Sequence, residues 1–326
     1  MDLNVTGLSA AVVGGDIRAA AHVAALLEGG AVVTVLAPDV TATIDDLAAR
    51  GLVTWAPRDP GPGELDAFDL VLRGHPRAAE TDRILDTGSV TLVGGGPGDP
   101  GLVTVAGRAA IERADVIVTD RLAPLAALGW ARADVEVVDV AKIPGGRSTS
   151  QDDINQLLVE HAKAGRHVVR FKGGDNFVFG RGGEELLACH EAGIATHVVP
   201  GVSSAIAAPA LAGIPVTHRG LTQGFTVVSG HVPPGHPDST LDYAALAHAG
   251  TSIVVLMGVR TLEAICAALV EGGLDPTTPA AVVADGSLPS QHVVRATVAT
   301  IAGAAADVRP PAVAVIGDVA DVEGLA

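Results

Sequence analysis

Cysteine and aromatic residues are scarce in this sequence. Its 326 residues include two cysteines, two tryptophans, one tyrosine and five phenylalanines. Cys189 and Cys266 lie far apart and form no C-x-x-C, which excludes a disulfide framework and a cysteine zinc site. With so few aromatic platforms, a base-stacking nucleic-acid surface is also excluded. The charge balance agrees, because 21 Lys and Arg against 37 Asp and Glu leave a net charge of −16 and no overall basic face for phosphate. No apolar run reaches the ~18 residues of a membrane span. Met1-Asp2-Leu3-Asn4 opens without the basic stretch or apolar core of a signal peptide. These absences point to a reduced, cytoplasmic protein with no nucleic-acid or membrane partner.

What is present is small and apolar. Hydrophobic residues make up 48%, mostly Ala and Val, with 40 glycines, and the mean hydropathy is +0.41. Such a chain can bury cores, and its length allows two or three domains of about 100–200 residues. Short β-branched runs alternate with Gly-rich turns and Ala/Leu-rich helical stretches. Strands are expected at Ala10–Val13, Ala31–Leu36, Asp69–Leu72, Ser89–Val93, Asp115–Thr119, Val135–Val140, His167–Phe171, Thr196–Val199, Phe225–Val228, Ser252–Leu256, Ala280–Val283 and Ala312–Ile316. Continuous apolar runs of this kind belong to strands covered on both faces, so an α/β fold with mostly parallel sheets is expected. Ser150 and Asp153 form an S-x-x-D capping box ahead of Ile154, Leu157, Leu158 and His161, and Gly165 closes that helix. Pro57–Gly63 and Val232–Thr240 are Pro/Gly-rich and read as surface turns. Boundaries near 88 and 202 divide the chain into 1–88, 89–202 and 203–326.

In the first segment, Val12-Val13-Gly14-Gly15-Asp16 closes a strand in a βαβ setting, where a helix N-terminus can receive a pyrophosphate. The full G-x-G-x-x-G is missing, and Asp16 would set a carboxylate where a phosphate approaches. A plain Gly-Gly turn is favoured, and NAD is not expected. The second segment opens on Val93-Gly94-Gly95-Gly96-Pro97-Gly98-Asp99, which lacks the G-K-[ST] of a phosphate-binding loop. A second glycine-rich loop runs from Lys172-Gly173-Gly174-Asp175 to Arg181-Gly182-Gly183. Pro97, Gly173 and Gly201 all follow strand ends, the edge at which open α/β sheets collect ligands.

Several stretches are similar to uroporphyrinogen-III C-methyltransferases of the tetrapyrrole methylase family. They are VTLVGGGPGDPGLVT, ADVIVTDRL, VVRFKGGDNFVFGRGGEE, VVPGVSSAIAAPALAGIPVTHRGL and VVLMG, in order from about Ser89 to Gly317. VVGGDIRAAAHVAALLEGGAVVTVLAPD resembles the N-terminal precorrin-2 dehydrogenase domain of siroheme synthases, without that domain's later helical region. The resemblance implies a two-domain tetrapyrrole methylase fold preceded by a truncated Rossmann-like α/β domain. It further implies a homodimer that uses S-adenosylmethionine to methylate C2 and C7 of uroporphyrinogen III, giving precorrin-2 and S-adenosylhomocysteine. By motif, Pro97, Gly173, Gly174, Asp175, Val178, Ser203, Ser204, Met257 and Gly286 would hold the cofactor. Asp120 would accept a proton and Lys142 would donate one. Three departures are Thr119 where the family has tyrosine, Asn176 where it has proline, and the first-loop pattern, which reads GGGPGD. The second is expected to loosen its loop, since proline fixes φ.

The implied substrate carries eight carboxylates, and the basic residues are concentrated accordingly. From Lys142 to Arg181 there are seven basic residues against four acidic ones. Arg121, Arg147, Arg170, Lys172, Arg181 and Arg219 are the candidate carboxylate holders, since Arg suits bidentate recognition. Lys163 and Arg166, at a helix end, fit the dipole and solvent better. Plainer roles remain open for the acid and the base: Asp120 as a cap or a partner of Arg121, and Lys142 as a solvated cation. No H-E-x-x-H is present, and the inferred chemistry needs no metal. Three functions stand side by side: methyl transfer, an NAD-dependent oxidoreductase using residues 1–88, and tetrapyrrole binding without catalysis. Within the first, a later corrinoid substrate stays open.

Overall fold

The computed structural model describes residues 5–15, 19, 22–23, 26–27, 29–40, 42–72, 88–140 and 150–322. The chain forms two compact units, Met1–Ile84 and Leu85–Ala326. The first holds β1 (Ser9–Val13), β2 (Val32–Leu36), α1 (Ala42–Ala49), β3 (Thr54–Ala56) and β4 (Leu70–Leu72). Its sheet is parallel in the order β3-β2-β1-β4. Ala10, Val12, Val33 and Val35 alternate inward onto Val23 and Ile44, as the two-residue period of a strand requires. A Cβ on Gly15 would collide with the Asp39 carbonyl, so the loops after β1 and β2 touch backbone to backbone. That contact alone requires glycine at position 15.

The second unit contains two five-stranded sheets. One is parallel throughout, with β5 (Ser89–Gly94), β6 (Val116–Thr119), β7 (Glu136–Asp139), β8 (His167–Lys172) and β9 (Ala195–Val199) in the order β7-β6-β8-β5-β9. Both faces are covered. Val90, Leu92, Val116, Val118 and Val168 pack to one side, and Val93, Ile117, Val169 and Phe171 to the other. Around it lie α2 (Val105–Arg113), α3 (Gln151–Lys163) and α4 (Gly182–Glu191). The capping box of α3 forms as its sequence specifies. Ser150 Oγ accepts from the Asp153 amide at 3.1 Å, and the Asp153 carboxylate accepts from the Ser150 amide at 3.3 Å.

The other sheet comprises β10 (Phe225–Ser229), β11 (Ser252–Leu256), β12 (Pro279–Ala284), β13 (His292–Thr297) and β14 (Ala312–Ile316), ordered β10-β11-β14-β12-β13. Only β10 and β11 pair in parallel; the remaining pairs are antiparallel. The mostly parallel expectation holds in the other two sheets and fails in this one, where the short return from β12 to β13 imposes antiparallel pairing and β14 runs antiparallel to both β11 and β12. β13 and β3 escape the sequence reading. The former is a half-exposed edge strand without an apolar run, and the latter spans three residues. This sheet carries α5 (Ser204–Leu211), α6 (Tyr243–His248), α7 (Leu262–Glu271) and α8 (Ile301–Ala304). Ala205 and Ala208 of α5 pack on Val254, Ala281 and Val283. The helix that follows β9 of the first sheet thereby becomes part of the second sheet's core.

Candidate active site

Three loops meet at the carboxyl ends of β5, β8 and β9. The Gly95 amide donates to the Lys172 carbonyl at 2.7 Å, and Gly96 and Gly174 exchange backbone hydrogen bonds of 3.1 and 2.6 Å. A Cβ on Gly94 would lie 2.5 Å from the Gly201 nitrogen, and one on Gly201 would strike the Gly174 carbonyl. These glycines are needed where backbone packs on backbone. Asp175 joins the loops with its side chain. Its Oδ1 accepts from the amides of Phe177 (2.9 Å) and Val178 (3.3 Å), and its Oδ2 from the amide of Gly201 (3.1 Å).

Asn176 does the opposite of loosening this loop. It is fully buried, and its Nδ2 donates to the carbonyls of Leu92 (3.4 Å) and Val199 (2.9 Å). Its backbone carbonyl accepts from the Gly182 amide at 3.0 Å, while its side-chain Oδ1 is buried without a hydrogen-bond partner. Side-chain hydrogen bonds to two strands replace the constraint a proline ring would impose.

The second sheet supplies the facing wall. Ser203 caps α5, its Oγ accepting from the Ala205 amide at 3.3 Å, and Ser204 begins the helix beside Gly174. Gly286 follows β12, where a Cβ would sit 2.6 Å from the Ala208 methyl. The Asp99 amide donates to Ser287 Oγ at 3.0 Å, linking the loop that carries Pro97 to the loop that carries Gly286. Phe179, Arg181, Met257, Asp285 and Ser287 have φ between 50° and 79°. All five fall in these strand-end loops. Each left-handed residue without a glycine costs about 1–2 kcal/mol, and such strain concentrates at ligand sites. Met257 is 51% exposed and Val178 37%.

Asp120 follows β6, and the backbone at Leu122 abuts Gly173, where a Cβ would lie 2.5 Å from the Leu122 carbonyl. Asp120 Oδ1 accepts from the Leu122 amide at 3.0 Å, and Oδ2 accepts from Arg170 Nη2 at 3.3 Å. Its ion pair is therefore with Arg170. Arg170 Nε donates to Glu185 Oε1 at 2.9 Å, and Lys172 Nζ donates to Glu185 Oε2 at 2.7 Å. Arg170 and Lys172 are each 4% exposed, and Glu185 is fully buried. Burial pushes the Lys172 ammonium below its ordinary pKa, against the opposing pull of Glu185. These two cations face inward with their charges matched, whereas the sequence placed them among the substrate holders. Arg121 and Arg219 are exposed, and Arg181 is exposed in a pair with Glu184. Lys142 and Arg147 lie outside the described residues.

Sequence reasoning missed Glu185, Ser287 and the anchoring role of Asn176. Glu185 carried one signal, a carboxylate in the first turn of a helix that follows two strand cations. A groove of about 560 Å3, lined by residues including Thr104, Arg108 and Trp130, contains none of the expected site residues. Among the described residues, no group of three or more His, Cys, Asp or Glu could hold a metal, and no helix is long and apolar enough to cross a membrane.

Two five-stranded sheets within the second unit, each with helices packed on it, bring their glycine-rich strand-end loops together. The family profile described as Tetrapyrrole (Corrin/Porphyrin) Methylases matches residues 89–302, and the chain belongs to that family. A profile described as Putative NAD(P)-binding matches residues 1–97. The chain is 45% identical over 239 residues to a uroporphyrinogen-III C-methyltransferase of Methanocaldococcus jannaschii, covering 72% of this chain and 98% of that one. It is 43% identical to a siroheme synthase of Edwardsiella ictaluri over 72% of this chain and 50% of the relative. Among solved structures, the uroporphyrin-III C-methyltransferase of Thermus thermophilus complexed with S-adenyl homocysteine aligns with a TM-score of 0.61 and 39% identity, over 71% of this chain and 98% of that one.

Proposed function

We propose that this protein is an S-adenosylmethionine-dependent C-methyltransferase that converts uroporphyrinogen III to precorrin-2, methylating C2 and C7. One observation carries the reading: Asp120, held by Arg170, stands on the loop that abuts the glycine-rich assembly tied together by Asp175. When bound, S-adenosylmethionine supplies a methyl group activated on a sulfonium.

The chain's own part is to orient and to move a proton. Pro97, Gly173, Gly174, Asp175, Val178, Ser203, Ser204, Met257 and Gly286 shape the donor site. Holding the reacting atoms in line provides the largest share of the acceleration, about 7–11 kcal/mol at best. Methyl transfer would turn the sulfonium into a thioether and leave its positive charge on the methylated ring, and the ring system, not the methylated carbon, would then lose a proton to Asp120. Two N–H donors leave lone pairs free on that carboxylate, whose side chain is 29% exposed. Lys142 serves as proton donor by its motif. Arg121, Arg147, Arg181 and Arg219 hold substrate carboxylates, while Arg170 and Lys172 hold Glu185.

A division of the chain at 88 and 202 belongs to the same proposal, since β9 ends at Val199 and α5 begins at Ser204. Homodimer formation and a cytoplasmic location extend it. The two free, buried thiols support a reducing setting, and size-exclusion chromatography tests the dimer. The product would feed siroheme or cobalamin synthesis.

Anaerobic incubation with uroporphyrinogen III and S-adenosylmethionine, followed by mass spectrometry of the tetrapyrrole, tests the reading. Two added methyl groups are expected. A folded, donor-binding protein that adds none would overturn it.

A further inference from the structure

Four charged side chains lie between β6, β8 and α4, and methyl transfer as described uses only Asp120. Arg170 and Lys172, two residues apart on β8, point to the same face of the sheet. Glu185, in the first turn of α4, meets both, one oxygen each. Arg170 then spends every face of its guanidinium. Nε goes to Glu185, Nη1 to the carbonyls of Val118 and Phe171 at 3.3 Å each, and Nη2 to Asp120. A guanidinium is a rigid planar fork, so fixing Nε and Nη1 fixes the direction in which Nη2 points.

Stability alone does not explain this arrangement. Burying ions is costly, and apolar residues of similar volume commonly serve a core as well or better. Two cations and two carboxylates close the network to zero net charge. Its one partly exposed member is Asp120, with 29% of its side chain open against 5% or less for the other three.

We infer that Glu185 is a positioning residue: through Arg170 it fixes the orientation of the Asp120 carboxylate at the reacting edge. The inference rests on Asp120 being the proton acceptor. What Glu185 supplies is an oxygen at the right place for Arg170 Nε, and that can be separated from its charge. Glu185→Gln keeps an amide oxygen there, and Glu185→Leu removes it. In both variants Lys172, whose ammonium burial already disfavours, can shed its proton and leave the Arg170–Asp120 pair balanced.

The test measures kcat per folded enzyme for both variants, together with S-adenosylmethionine affinity by calorimetry. Glu185→Leu should lower kcat by about ten- to a hundredfold, the scale of a small misplacement of a catalytic group, with donor affinity within about twofold of wild type. Glu185→Gln should recover most of that loss. Equal kcat in the two variants, or a folded Glu185→Leu enzyme as fast as wild type, would overturn the inference. Should Glu185→Leu fail to fold, Arg170→Lys tests the same link, since it keeps the charge and loses the fork. An unchanged kcat there would also overturn it. Asp120→Asn runs alongside. If that variant is fully active, the reading of Asp120 falls and the inference with it; if it is inactive beside a fully active Glu185→Leu, the inference alone falls.

Discussion

Asp175 accepts hydrogen bonds from Phe177, Val178 and Gly201, so one carboxylate ties together two loops separated by 26 positions in the chain. Charge-assisted bonds to backbone amides are stronger than neutral ones. Asp175→Ala leaves three amides without that acceptor, and leaving such a group unsatisfied costs about 1–3 kcal/mol where it is buried. The residue loop and the Gly201 loop should then drift apart. The expected outcome is S-adenosylmethionine affinity reduced roughly tenfold, equivalent to about 1.4 kcal/mol. Titration calorimetry checks it, and an unchanged dissociation constant would count against a stitching role. Asn176 makes the complementary point. A departure that looked loosening in the sequence is anchored by hydrogen bonds to Leu92 within β5 and to Val199 at the end of β9.

At the scale of elements, α3 links local sequence to the site. Its capping box sets where the helix begins, and its first residue, Gln151, reaches Glu185 Oε1 at 3.4 Å. Ile154, Leu158 and Ala162 then bury one face against the first sheet. Ser150→Ala should cost about 1 kcal/mol, the usual value of a lost cap. Urea unfolding reads this as a lower midpoint with an unchanged slope, and an unaltered midpoint would show that the cap contributes nothing. The strands were legible where apolar residues run continuously, as in Val116-Ile117-Val118, because burial on both faces leaves that mark. β13 left none. Its partner β12 shields one edge, and none of the β13 residues is fully buried, with His292 and Arg295 exposed.

For the whole molecule, the division into Met1–Ile84 and Leu85–Ala326 separates a small parallel sheet from the two-sheet unit that carries every described site residue. The Methanocaldococcus jannaschii relative is covered to 98% by an alignment of 239 residues, against the 326 residues of this chain. Residues 85–326 alone should therefore fold and methylate with a kcat within about threefold of the full chain, in line with the additivity of independent regions. Circular dichroism and the methylation assay check this. A truncated chain that folds but has lost activity would assign the first unit a part in the reaction.

Across these scales, the sequence by itself determined whatever depends on neighbours in the chain. Apolar runs, the Ser150 cap and the glycine-rich turns after strands follow from local sterics and burial, and the motifs carried the family. Tertiary structure decided what depends on distant residues meeting. Arg170 and Lys172 read as candidate carboxylate holders because charge is visible in a sequence and its partner is not. Only the packing of α4 against β8 placed Glu185 between them and turned both inward. The same holds for Gly286 against Ala208, a loop against a helix of the second sheet, and for Asp99 against Ser287, loops from different sheets. Pairing across the fold, with the loss of water that accompanies it, sets which charges remain free to meet a ligand.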